Sequence, residues 1–202
     1  MNKTKKSKIP KLRTFAGSKT QVILAIKHGA DSLILEHPSL SIRSFLDINH
    51  SESISTLNVI KELATTARSL NPKIALSVNC DILLHQRHES LIAAFIVVLK
   101  EASIDTIRIQ DPGLISFFSI HYPQAQIEMV SDTGHLNIES MKYYKKFCSQ
   151  IFINNDMPRN DIQLLIDQVP HNYEIQVQGP ILIQYSNRRF LAGLDQHNSS
   201  DK

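Results

Sequence analysis

Glu36, Asp111, Asp132 and Asp156 each follow a short run of β-type residues, and each is followed within two positions by a glycine or proline. Asn79 and Gln178 hold the equivalent place after two further runs, with His37 and His135 close by. Four carboxylates converging on one face could hold a divalent cation through oxygen ligands. They could also act as general acid and base if crowding raises the pKa of one of them. On this pattern Asp111, Asp132 and Asp156 are the expected catalytic groups, and Glu36, Asn79, His135 and Gln178 are expected to contact substrate. Taken singly, each has a plainer reading as a helix cap or turn closer, a common use of aspartate.

Other chemistry-bearing groups give weaker patterns. His85, His88 and Glu89 (HQRHE) could set three ligand atoms on one helical turn, but no distant fourth ligand is marked, and a solvated helix start explains them better. Neither Ser131 nor Ser186 sits in a nucleophile-elbow motif, which argues against a serine hydrolase. Cys80, just past a β-type run, reads as a packed thiol rather than a nucleophile.

The elements that must position the ring alternate along the chain. Apolar β-type runs fall at 12–16, 31–35, 74–78, 106–110, 126–131, 150–153 and 173–177. Helical periodicity predicts helices over 19–28, 53–70, 89–100, 114–122, 138–147 and 161–168, with Ser18 suited to an N-cap and Pro158 to a first turn. Strand, polar end residue, turn and helix form a unit that favours parallel pairing with right-handed crossovers. No Gly-x-Gly-x-x-Gly turn opens the chain and no P-loop pattern occurs, so a TIM-barrel-like α/β fold of about seven β/α units, the eighth missing or incomplete, fits better than a Rossmann sheet. In such folds reacting groups gather at the carboxyl ends of the strands.

Composition bounds the remaining choices. At 42% hydrophobic and 20% charged residues the chain has the make-up of an ordinary globular protein. Its longest unbroken apolar run, 91–99, is under half of the roughly 20 residues that span a bilayer, and no apolar stretch follows the charged N-terminus. The expectation is a cytoplasmic protein with both cysteines, Cys80 and Cys148, reduced. Six of the 22 basic residues lie in residues 1–13, which carry no acid, leaving a mildly acidic body. We divide the chain into a basic flexible arm (1–11), a barrel domain (12–194) and a flexible tail (195–202). The arm reads as a solubilising tail that could also touch RNA.

With these residues in place the chain resembles the peptidase U32 family, the collagenase-like proteases. The resemblance rests on FAGS (15–18), GADSLIL (29–35), SLSIRSF (39–45), IQDPGLI (109–115) and YSNRR (185–189), in the family's order and spacing. Arg43, Tyr185 and Arg188, inside these motifs, join the expected substrate-binding set. The resemblance implies a TIM-barrel-like core and action in peptide or collagen degradation, in ubiquinone-ring hydroxylation, or in hydroxylation of tRNA and ribosomal RNA. Several members carry an iron–sulfur cluster.

The chain departs from the family at the places that would hold that cluster. Gln178 replaces the expected histidine, Leu182 and Arg189 replace two cysteines, and Asn154-Asn155-Asp156 replaces Ser-Arg-Glu. A [4Fe–4S] site takes four thiolate-type ligands, so no iron–sulfur cluster is expected, and a divalent metal is the one cofactor the acidic ring would admit. Two readings stay open. One is a U32-type protease or hydroxylation factor using the acidic site. The other is a catalytically inactive, cluster-free binding or scaffold subunit, whose missing last unit calls for a protein partner or a second copy.

Overall fold

The computed structural model describes residues 10–42, 54–130, 137–153 and 156–179. Seven strands, β1 (Arg13–Ala16), β2 (Ser32–Leu35), β3 (Ala75–Cys80), β4 (Thr106–Ile109), β5 (Gln126–Val130), β6 (Gln150–Ile153) and β7 (Tyr173–Ile175), form one sheet in sequential order. Every neighbouring pair is parallel. Six helices alternate with them: α1 (Lys19–Lys27), α2 (Asn58–Leu70), α3 (Glu89–Glu101), α4 (Pro112–His121), α5 (Ile138–Tyr144) and α6 (Arg159–Gln168). Among the described residues the sheet curls into a partial TIM-type barrel of seven strands, with helices outside.

Alternation along each strand assigns the two faces. Leu33, Leu35, Leu76, Val78, Ile107, Ile109, Ile127, Met129, Ile151 and Ile153 are buried in a single core with Leu63, Phe95, Leu99 and Phe118 of the helices. The intervening residues point into the barrel. β-branched and long aliphatic side chains suit this pleated surface buried against helices. Phe95 and Phe118 meet edge to face, with ring centroids 6.3 Å apart, and lock α3 against α4.

The helix starts follow the expected local chemistry. Ser18 accepts from the Gln21 amide at α1, Asp111 from Gly113 at α4 and Asn137 from Ser140 at α5. At 53–70 the expected single helix instead opens with a turn of 3-10 helix, Ile54–Leu57, before α2. β3 extends to Cys80, two residues beyond the predicted run, because Ser77 and Asn79 are interior-facing positions of a strand rather than its end. Asp81, rather than Asn79, therefore stands past that strand.

Among the described residues no helix is long and apolar enough to cross a membrane.

Candidate functional site at the carboxyl mouth of the barrel

Inside the barrel two polar layers lie one above the other. The deeper one is ionic. Arg13 of β1 donates to Glu128 of β5 at 2.8 Å, to Glu174 of β7 at 2.7 Å and to the Ser77 hydroxyl of β3 at 2.8 Å. Arg108 of β4 donates to the other Glu174 oxygen at 2.7 Å and lies 3.8 Å from Glu128. Its guanidinium sits 5.8 Å from the Phe15 ring centre and 5.4 Å from that of Phe152, within cation–π range of both. Gln150 adds a longer contact to Glu174 at 3.3 Å. Burial pushes the Glu174 carboxyl up, but Arg108 and Arg13 outweigh it and hold it below the usual carboxylate range. Burial likewise opposes the Arg13 charge, which Glu128 and Glu174 restore. The layer therefore stays charged because opposite charges surround each other.

The second layer lies toward the carboxyl ends of the strands. Asn79 Nδ2 donates both to Asp81 Oδ2, at 2.8 Å, and to Ser41 Oγ, at 3.0 Å. Ser41 Oγ in turn donates to Glu36 Oε1 at 3.0 Å. The second Asp81 oxygen accepts the Ile42 amide at 2.8 Å, and the Asp81 amide donates to Leu40 O. This chain joins two carboxylates and pins residues 38–42 across the end of β3. The turn is set by His37, fully buried, whose Nδ1 accepts from the Ser39 amide while Nε2 faces Thr56 Oγ1 at 2.9 Å. Burial raises the Asp81 pKa above the usual value, against the hydrogen bonds from Ile42 and Asn79 and the charge of Arg108. Asp81 thus keeps a proton to higher pH than an exposed aspartate, the property a general acid needs.

Gln110, the first residue past β4, is fully buried, and neither its amide oxygen nor its amide nitrogen has a hydrogen-bond partner. Asn79 Oδ1 is likewise buried and unpartnered.

The expected site residues divide among these surroundings. Glu36 and Asn79 fall inside the mouth network. Asp111 caps α4, its two oxygens accepting the Gly113 amide at 2.8 Å and the Leu84 amide at 3.3 Å. Asp156 is exposed after β6, and Gln178 is exposed after β7. Arg43, Asp132, His135, Tyr185 and Arg188 lie outside the described residues. Sequence reasoning missed Asp81, Gln110 and the four charged groups of the deep layer. A signal for the latter was present: Arg108, Glu128 and Glu174 each interrupt an apolar β-run at its centre.

Among the described residues no three His, Cys, Asp or Glu side chains stand together as ligands. His85 and His88 are used in a helix start, where the His85 amide donates to His88 Nδ1 at 2.9 Å. Cys80 is buried on the helix side of β3 and Cys148 is buried in the same core. Burial pushes the Cys80 thiol strongly up and that of Cys148 up to about 12, away from the thiolate that ligates iron. The residues present do not fit the iron–sulfur cluster carried by several U32 proteins.

Comparison with known proteins matches this architecture. A solved U32 peptidase superposes with a TM-score of 0.61 over 87% of this chain and 72% of its own, at 9% identity. The 2,3-dimethylmalate lyase of the PEP mutase/isocitrate lyase superfamily gives a TM-score of 0.58 over 87% and 70%, at 10% identity. These likenesses concern the fold alone. In sequence the chain is 26% identical over 190 residues to the tRNA hydroxylation protein P of Escherichia coli and to that of Haemophilus influenzae. The match takes in 91% of this chain but only 39% of either relative, so the chain spans about two fifths of their length. The model of peptidase family U32 matches residues 17–202, and the chain belongs to that family.

Proposed function

We propose that this protein takes part in tRNA hydroxylation as an RNA-handling partial barrel, with Glu36, Asn79 and Asp81 as the polar groups of its site. The observation that carries this reading is the 26% identity to tRNA hydroxylation protein P, which extends over 91% of the chain. The geometry supports it over proteolysis. Cys80 and Cys148 are packed thiols, and the Ser77 hydroxyl is held by Arg13. Ser41 Oγ donates to Glu36, leaving no histidine base beside it among the described contacts. The Asp111 carboxylate accepts two backbone amides, an arrangement that suits the N-cap of α4.

The test is mass spectrometry of nucleosides from bulk tRNA of the source organism, with and without the gene. Loss of a hydroxylated nucleoside, restored by the wild-type gene and not by Asp81→Ala, is the expected result. An unchanged nucleoside profile in the deletion strain would sink the proposal.

A second reading has its own support. Ile175, on the outer side of β7, and Val177, just past its end, are 45% and 89% exposed, where a closed barrel would set another helix. A partner chain docked there would cover them. Native mass spectrometry of the protein from its source distinguishes a complex from a monomer of 22.9 kDa.

A further inference from the structure

We infer that the mouth of the barrel reads the edge of a single RNA base through Gln110, with Asn79 Oδ1 as a second contact; this rests on the RNA-acting reading above. Gln110 is 0% exposed, and its Oε1 and Nε2 both lack a partner. Buried polar groups are nearly always satisfied, and an exception points to a functional role or to a water or ligand that completes it. Gln110 lies one position past Ile109, where the ladders of β4 with β3 and β5 end. Asp81, the residue past the end of β3, makes its hydrogen bonds with Asn79 and Ile42 instead.

The free atoms define the chemistry of what binds. A carboxamide offers a donor and an acceptor side by side in one plane. Its complement is a group with an acceptor and a donor on the same edge. A trans peptide bond points its C=O and N–H in opposite directions and cannot meet both. A ring lactam or an amino-substituted ring nitrogen can, and nucleobases carry such edges. An anion is disfavoured, because the Glu36 carboxylate belongs to the same network as Asn79. The ligand is therefore neutral, planar and cyclic. Since Gln110 is wholly shielded, a base that reaches it has left both water and its stacking neighbours, as a flipped base does.

The experiment combines two probes on the full chain and its Gln110→Leu variant. Saturation-transfer NMR uses the four free ribonucleosides, and fluorescence anisotropy uses labelled tRNA from the source organism. The expected result is that at least one nucleoside binds the wild type and binds the variant about tenfold more weakly or not at all, the scale of one lost bidentate pair. The variant should unfold no earlier than wild type, since replacing an unpartnered buried amide with an apolar group is close to neutral. Equal nucleoside binding by both proteins overturns the inference. So does a wild type that binds tRNA but no nucleoside, which leaves the RNA-acting reading standing. A wild type that binds neither overturns both.

Discussion

Arg108 lies on the interior face of β4 and Gln110 one residue past the end of that strand, and their surroundings could hardly differ more. Arg108 is a buried cation with Glu174 at 2.7 Å, Glu128 at 3.8 Å and the rings of Phe15 and Phe152 in cation–π range. Gln110 is a buried neutral amide with no partner at all. The difference separates what the fold uses from what it leaves open. Charge deep in the lumen is compensated from β1, β5 and β7. At the mouth, Glu36, Ser41, Asn79 and Asp81 are joined by hydrogen bonds, while Asn79 Oδ1 and the two amide atoms of Gln110 have no partner.

Removing Arg108 should break the comparison most severely. Arg108→Ala leaves Glu174 and Glu128 buried with one cation between them, and loss of about 3–5 kcal/mol in denaturant unfolding is expected for a broken buried pair. If Arg108→Ala and Gln110→Leu shift the unfolding midpoint equally, the contrast between the layers is wrong. Asp111→Ala should cost less, about 1–2 kcal/mol, because it strips one N-cap from α4 and one acceptor from the Leu84 amide. An unchanged midpoint there would mean that water replaces the carboxylate freely, and the capping role would be lost with it.

Acid sharpens the same contrast. Glu174 has a folded pKa below its unfolded value of about 4.3. Its contribution is present above that unfolded value and disappears as pH falls through the lower folded one. Wild-type stability should therefore decline below about pH 4, whereas Glu174→Gln, weaker at neutral pH, should show a shallower decline. Asp81 acts in the opposite sense. Its raised folded pKa means that lowering the pH through it removes a penalty rather than a support. Parallel curves for wild type and Glu174→Gln would deny Glu174 its role. The smallest effect on stability belongs to Gln110→Leu, at or near zero.

Much of the architecture was legible from periodicity. Outward-facing Ile107, Ile109, Ile127 and Ile151 make strands visible, and breakers such as Pro112-Gly113 mark where they stop. Two kinds of information were not legible. The first is where a strand with polar interior positions ends: Asn79 looks like the close of the run 74–78, yet β3 continues through it to Cys80. The second is which carboxylates are spent. Asp111 and Asp81 both follow strands, but whether each meets backbone amides or solvent depends on loops far along the chain, Leu84 for one and Ile42 for the other. The ionic layer was hidden for a similar reason, since Arg13 and Glu174 are 161 residues apart. Nothing local announces that they touch.

That same pair has a consequence for how the molecule comes together and opens. β1 and β7 are the two outer strands of the described sheet, yet Arg13 and Glu174 tether them across the lumen. The tether cannot form until every intervening unit has taken its place, and closing so long a loop is a slow, late event in folding. Its completion makes the first strand report on the last. Backbone amides of β1 should exchange with deuterium at the pace of β7 while the pair is intact, and should fray independently once Arg13 is lost.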